Sequence, residues 1–263
     1  MLVFDIETRA LALGQIERVC GAFDSESFDL SSLTVDELRL YADKAEGGAP
    51  PKGARKDVII QFVQERDEVL EAVLLHAKAK YLEFIVEKAA LHAETSEVLA
   101  IGFQTPECGF AWRGLDSATE KELIEGFWQD CWAEITQGEQ IIGFNILEFD
   151  LPYLVRRSYM LRVPVPECVR DGRYWSSNFV DLLNVWRAGQ YREWITLDRM
   201  ARAFGIGSKN GSGKDFAKLW DDDRDQAKVY LQNDLYLTYS LAERMGFKAS
   251  VKESTILDGK GVA

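Results

Sequence analysis

The first eight residues, Met1-Leu-Val-Phe-Asp-Ile-Glu-Thr8, place the tightest constraint on the fold. Leu2 to Phe4 is a short apolar run of the kind that forms a buried strand. Asp5 and Glu7 follow, two residues apart. Residues i and i+2 of a strand point the same way. Both carboxylates therefore stand side by side at the end of a hydrophobic strand, where like charges repel. A divalent cation relieves that repulsion most simply. An acidic turn after a strand is the plain alternative, and the rest of the chain has to decide between them.

At 263 residues, with 47% hydrophobic and 28% charged side chains, the chain can bury a sizeable globular core. No apolar run approaches the ~20 residues that cross a bilayer. The N-terminus lacks the basic flank and cleavage site of a signal peptide. Cys20, Cys108, Cys131 and Cys168 form no C-x-x-C pair, and only His76 and His92 are available beside them. Structural zinc is not expected, and the thiols read as reduced, in a cytoplasmic setting with no membrane contact. The net charge of −12 argues against a duplex binder that neutralises many phosphates. It leaves room for an enzyme that holds a few nucleotides through metal ions and a local basic patch.

Residues 10–95 read as helical. Thr34 and Glu37 make a capping box before Leu38 and Tyr41. Residues 47–53 form a Gly/Pro-rich hinge. From Asp57 to His92 there is neither Pro nor Gly, and the apolar spacing predicts one long helix or two abutting ones. Residues 97–103 and 110–113 read as strands, 119–136 as a helix with Leu123, Phe127 and Cys131 on one face, and 140–145 as a strand. Asp150 opens a helix that carries Pro152 in its first turn. Residues 163–178, with Tyr174 and Trp175, read as a loop, 178–183 as a strand and 196–204 as a helix. Gly207 to Lys214 reads as a flexible basic loop; its glycine spacing and Asp215 exclude a P-loop. Residues 221–245 form a helix on which Tyr230 and Asp234, four apart, share one face. The tail from Val251 is expected to be mobile. This alternation predicts an α/β fold with a mixed sheet flanked by helices. Asp5, Glu7, Asp150 and Asp234 converging at one sheet edge would suit two hard divalent cations, Mg²⁺ or Mn²⁺.

At these positions the sequence resembles a known family. Phe4-Asp-Ile-Glu-Thr8, Gly143-Phe-Asn-Ile-Leu-Glu-Phe-Asp-Leu-Pro-Tyr-Leu154 and Tyr230-Leu-Gln-Asn-Asp234 resemble the three motifs of DEDDy-type 3′–5′ exonucleases of the DEDD superfamily. The middle motif is most similar to the exonuclease domain of family-B DNA polymerases. The resemblance implies a ribonuclease-H-like fold, with an exonuclease core formed by residues 1–9 and 96–250. Residues 10–95 would be a large helical insertion after the first strand, and 251–263 a C-terminal tail. It implies release of nucleoside 5′-monophosphates from 3′ ends, with Asp5, Glu7, Asp150 and Asp234 as ligands of two metal ions. Asp5 would be shared by both ions. Tyr230 would orient the attacking water, Thr8 and Asn145 would contact the terminal nucleotide, and Asp181 resembles an extra acidic position. Because no polymerase region follows within the chain, a free-standing exonuclease or a subunit of a larger machine is expected.

Single strands are commonly gripped by stacking and a few cations. Phe144, Phe149 and Tyr153 are the expected stacking residues, and Arg156, Arg157, Lys209, Lys214 and Lys218 the expected cations. Single-stranded DNA or DNA 3′ ends are the expected substrate. The alternatives are an exoribonuclease of the same superfamily and a catalytically silent nucleic-acid-binding scaffold. The insertion is a candidate platform for a protein partner.

Overall fold

The structure, a computed structural model, describes residues 1–170 and 178–247. In chain order the elements are β1 (Leu2–Ala10), α1 (Leu13–Cys20), α2 (Val35–Ala42), α3 (Lys56–Gln64), α4 (Asp67–Ala89), β2 (Ser96–Thr105), β3 (Gly109–Gly114), α5 (Glu120–Thr136), β4 (Ile141–Gly143), α6 (Asp150–Leu161), α7 (Glu167–Arg170), β5 (Phe179–Asp181), α8 (Leu182–Arg187), α9 (Leu197–Ala203), α10 (Phe216–Asp222) and α11 (Arg224–Arg244). Contacts divide the chain into two compact units, one of Met1–Arg9 with the residues from Ser96 onward, the other Ala10–Thr95.

The first unit is built on a mixed sheet. Its described strands run β3-β2-β1-β4-β5. β2 and β3 are antiparallel, with Ile101 opposite Arg113. β1, β4 and β5 are parallel, with Leu2 opposite Ile141 and Ile142 opposite Val180. Alternation along the strands decides what each face meets. Phe4 and Phe103 pack on Phe127 of α5. Val3, on the opposite parity, joins a buried cluster with Leu231 and Leu235 of α11, Met200 of α9 and Trp220 of α10. Gly102 makes the α11 contact possible: a Cβ there would lie 2.6 Å from Leu235 and 2.8 Å from Leu231. Helices thus cover both faces, and the α11 side is the one that receives Asp5 and Glu7.

β1 is longer than the apolar run predicts, so Asp5 and Glu7 lie inside a strand and not beyond its end. β4, however, pairs only with Leu2 and Val3. Past that point β1 lacks the β4 neighbour, and polar side chains can reach its backbone. The segment 178–183 is strand only to Asp181, whose side chain then accepts from Leu183 N and caps α8. Residues 167–170 form the short α7 within the expected loop. Tyr174, Trp175 and the tail from Val251 lie outside the described residues.

The second unit is helical. The Thr34–Glu37 capping box opens α2, and Leu38, Ile59, Val63, Val69 and Val73 form its core. Of the two expected forms the structure has two abutting helices, α3 and α4, parted at Glu65–Arg66. Ile16 of α1 packs with Ile85 and Ala89 of α4. The unit closes on itself where Leu11 N donates to Thr95 O at 2.9 Å.

Candidate active site

A cavity of about 460 Å³ opens on the α11 side of the first unit. Asp5, Glu7, Asp150, Tyr230 and Asp234 all line it, with Phe144, Asn145, Phe149, Trp194 and Lys209. Carboxylate oxygens of Asp5, Glu7 and Asp234 lie within 4.8 Å of one another. Strand parity delivers the first two, and the i, i+4 spacing on α11 places Asp234 beside Tyr230. Asp150 lines the same cavity but is not one of these three. Where β4 stops, its Oδ1 accepts from Ile6 N at 3.3 Å, taking the place a neighbouring strand's carbonyl would hold.

The electrostatics of the cluster are set by burial. It pushes the Asp5 carboxyl up to about 7, with the charge of Asp234 adding to the rise. Burial also raises Glu7, helped by Asp5 and Asp234, and raises Asp150, helped by Asp5. Asp234 is raised by burial although Lys209 pulls the other way. The Lys209 ammonium lies 2.6 Å from Asp234 Oδ2 and over the Tyr230 ring. Burial disfavours its charge, but Asp234, Asp5 and Glu7 together hold it more firmly protonated than usual. Asp234 Oδ1 and the Tyr230 hydroxyl are buried without a hydrogen-bond partner. An acid-rich pocket with one ammonium and an unsatisfied carboxylate oxygen is short of positive charge. The donor set, all hard oxygen, fits Mg²⁺ or Mn²⁺.

Burial, followed by the charges of Glu7, Asp234 and Asp5, moves the Tyr230 phenol far above its ordinary value. Without metal this favours the protonated phenol, which can donate a hydrogen bond.

The Gly207–Lys214 segment, read from sequence as flexible, is packed against this centre. Lys209 N donates to Asp198 at 2.8 Å, and Asn233 of α11 donates to Ser208 O at 3.2 Å. A Cβ at Gly211 would lie 3.0–3.1 Å from the Tyr230 ring, and one at Gly213 would lie 3.7 Å from its hydroxyl. The glycines let the backbone pass close enough to carry Lys209 into the carboxylates.

Other expected residues part company. Phe144, Asn145 and Phe149 line the cavity; Thr8 and Tyr153 do not. Thr8 has the strand parity of Phe4 and Ile6, opposite to the carboxylates. Tyr153 is buried in the core, its hydroxyl 2.5 Å from Ser96 Oγ, and is closed to a base. Arg157 is likewise buried, bound to Glu120 through Nε at 2.7 Å and Nη2 at 2.5 Å, and is closed to phosphate. Arg156, Lys214 and Lys218 are exposed, and none of them lines the cavity. Asp181 holds backbone: it accepts from Asn145 N at 2.9 Å, Leu147 N at 3.0 Å and Leu183 N at 2.9 Å. Those bonds fix the turn after β4, in which Asn145 takes φ +65° and its Oδ1 is buried without a partner. Sequence reasoning missed Trp194. It sits in no periodic element, and its only signal is an aromatic residue just before the Thr196 helix cap.

A family model described as a predicted 3′–5′ exonuclease related to the exonuclease domain of PolB matches residues 91–255. The match begins after β1, so it includes Asp150, Tyr230 and Asp234 but not Asp5 and Glu7. The family B DNA polymerase from the hyperthermophilic archaeon Pyrobaculum calidifontis has a similar fold, with a TM-score of 0.50 and 24% identity over 60% of this chain. The chain spans 23% of that polymerase. No curated protein matches. The five-stranded mixed sheet with helices on both faces is thus of the polymerase-exonuclease, ribonuclease-H-like kind, and the chain belongs to the family of predicted 3′–5′ exonucleases related to the exonuclease domain of PolB.

Proposed function

We propose that this chain is a divalent-metal-dependent exonuclease that removes nucleoside 5′-monophosphates from the 3′ end of single-stranded DNA. The observation that carries the reading is the convergence of Asp5, Glu7 and Asp234 oxygens within 4.8 Å of one another. Asp5, Glu7, Asp150 and Asp234 would hold the cations. Bound there, divalent ions lower the pKa of water and neutralise charge on a departing oxygen. The remaining work falls to the chain. The protonated Tyr230 hydroxyl donates a hydrogen bond that orients the attacking water. Phe144 and Phe149 give the terminal nucleotide apolar walls, and Asn145 Oδ1 supplies an acceptor among them. The buried surroundings exclude bulk water and so strengthen each of these contacts.

In this reading residues 1–9 and 96–250 are the catalytic core, and 10–95 an added unit. The added unit would be the platform for a protein partner. No helix among the described residues is long and apolar enough to cross a membrane; a cytoplasmic placement is part of the same proposal.

The test is a time course on 5′-labelled single-stranded DNA and RNA of matched sequence with Mg²⁺ or Mn²⁺, beside Asp5→Ala. A ladder that shortens from the 3′ end of DNA and is absent in the variant is expected. A ladder on RNA alone would replace DNA by RNA as the substrate. No cleavage of either would overturn the catalytic reading in favour of a silent scaffold.

A further inference from the structure

Glu7, Asp150 and Asp234 are buried and Asp5 partly so, whereas Trp194, which lines the same cavity, is 55% exposed. A half-exposed indole is therefore part of the rim. Its position is built. Ile195 and Leu197, on either side of Thr196, are buried and anchor the segment to the core. The Arg187 guanidinium lies 5.1 Å from the Trp194 ring centroid. Arg187 is itself buried, donates from Nε to Glu193 O at 2.9 Å and from Nη1 to Asn184 at 3.1 Å, and pairs with Glu148. The indole thus rests on a fixed cation while about half of the residue stays exposed. Tyr191 stands on the same turn, closed by Glu193 N to Gln190 O at 3.0 Å, and is 87% exposed.

Two exposed aromatic side chains thus stand three residues apart, and one of them lines the acidic cavity. Every base has a π-face, so an aromatic platform accepts any sequence. A nucleotide whose phosphate reaches Asp5, Glu7 and Asp234 fills the bottom of the cavity, and the strand must leave over the rim. We propose that Trp194 is a stacking platform for the base next upstream of the terminal nucleotide, and that Tyr191 extends it to a further base. This rests on the reading of the cavity as a 3′-end site, and it assigns the residues that make a strand, and not a lone nucleotide, the preferred ligand.

The test is binding of fluorescein-labelled oligothymidylate, two and twelve nucleotides long, by anisotropy in Ca²⁺ buffer, to the full chain and to its Trp194→Ala and Trp194→Phe variants. Stacking is worth ~1–3 kcal/mol per base, so Trp194→Ala should bind the twelve-mer about tenfold more weakly. The loss on the dimer should be smaller, and Trp194→Phe should restore most of the affinity. A merely structural role would weaken both lengths alike and would not be rescued by Phe. Equal binding of the twelve-mer by Trp194→Ala and the unaltered chain, no binding by either, or a loss independent of length would overturn the proposal. Cleavage of the p-nitrophenyl ester of thymidine 5′-monophosphate by the unaltered chain with Mn²⁺ reports separately on the chemistry. Its failure would sink the exonuclease reading while the binding series still scored the platform.

Discussion

Asp5→Asn should stabilise the metal-free protein while abolishing activity. Burial and the charge of Asp234 raise the Asp5 carboxyl from an ordinary value near 3.8 to about 7. That rise corresponds to ~4 kcal/mol against the charged form. Asp5 is only partly buried, and solvent screening of roughly half leaves about 2 kcal/mol. The sign follows from proton counting. Between about pH 4 and pH 7 the folded chain binds more protons at Asp5 than the unfolded chain does, so its stability falls as pH rises through that window. Asparagine removes the group and with it the fall. At pH 8 in EDTA the variant should be more stable by about 2 kcal/mol, or ~4–8 °C in Tm. At pH 4 or below the two should nearly coincide. Urea unfolding of both proteins at pH 4 and pH 8, followed by circular dichroism, measures the difference. With Mg²⁺ at about 100 times its Kd the order should reverse, because a ligand that binds only the folded chain adds ~2.7 kcal/mol to the parent. Parallel pH profiles, or a variant less stable at pH 8 without metal, would refute the account of a strained carboxylate cluster.

Tyr230→Phe should lose roughly 100–1,000-fold in kcat, the scale of one oriented hydrogen-bond donor. It should keep its affinity for Mn²⁺ by calorimetry; complete loss of metal binding would place the phenol among the ligands. Lys209→Met removes the ammonium 2.6 Å from Asp234, so calorimetry should show Mn²⁺ binding about tenfold tighter, ~1.4 kcal/mol. Weaker binding would mean that the lysine supports the metal site and does not compete with it. Glu120→Ala leaves the buried Arg157 and Val98 N without their partner and should cost ~3–5 kcal/mol in urea unfolding. A smaller loss in Glu120→Met with Arg157→Leu would identify the uncompensated charge as the cause.

What could be read before the structure was periodic or local. Two-residue spacing puts Asp5 and Glu7 on one face, four-residue spacing puts Tyr230 and Asp234 on one helix face, and Thr34 with Glu37 marks a helix start; all three appear in the structure. What could not be read depends on partners far along the chain. Arg157 carries the same signature as a phosphate-binding arginine until Glu120, 37 residues away, is seen to occupy it. Tyr153 sits among motif residues, yet the helix turns it toward Ser96. Asp181 is acidic after a strand, as a ligand would be, but its oxygens serve three backbone amides. The packing of Lys209 was hidden because a Gly-rich stretch signals mobility and close approach equally well. Only the Tyr230 ring beside Gly211 distinguishes them.

The hydrogen bond from Leu11 to Thr95 bears on how the chain reaches its fold. β1 and β2 are neighbours in the sheet although residues 11–95 separate them. Closing a loop of that length at random is slow, because the search grows with sequence separation. Once α2, α3 and α4 have packed around Leu38, Val63 and Val73, and α1 on α4 through Ile16, Ile85 and Ala89, their own compaction brings the two exits of the unit to hydrogen-bonding distance. A long-range pairing of the sheet then becomes a short-range event. Destabilising variants of that helical core, such as Val63→Ala, should therefore slow formation of the sheet while leaving its unfolding rate little changed.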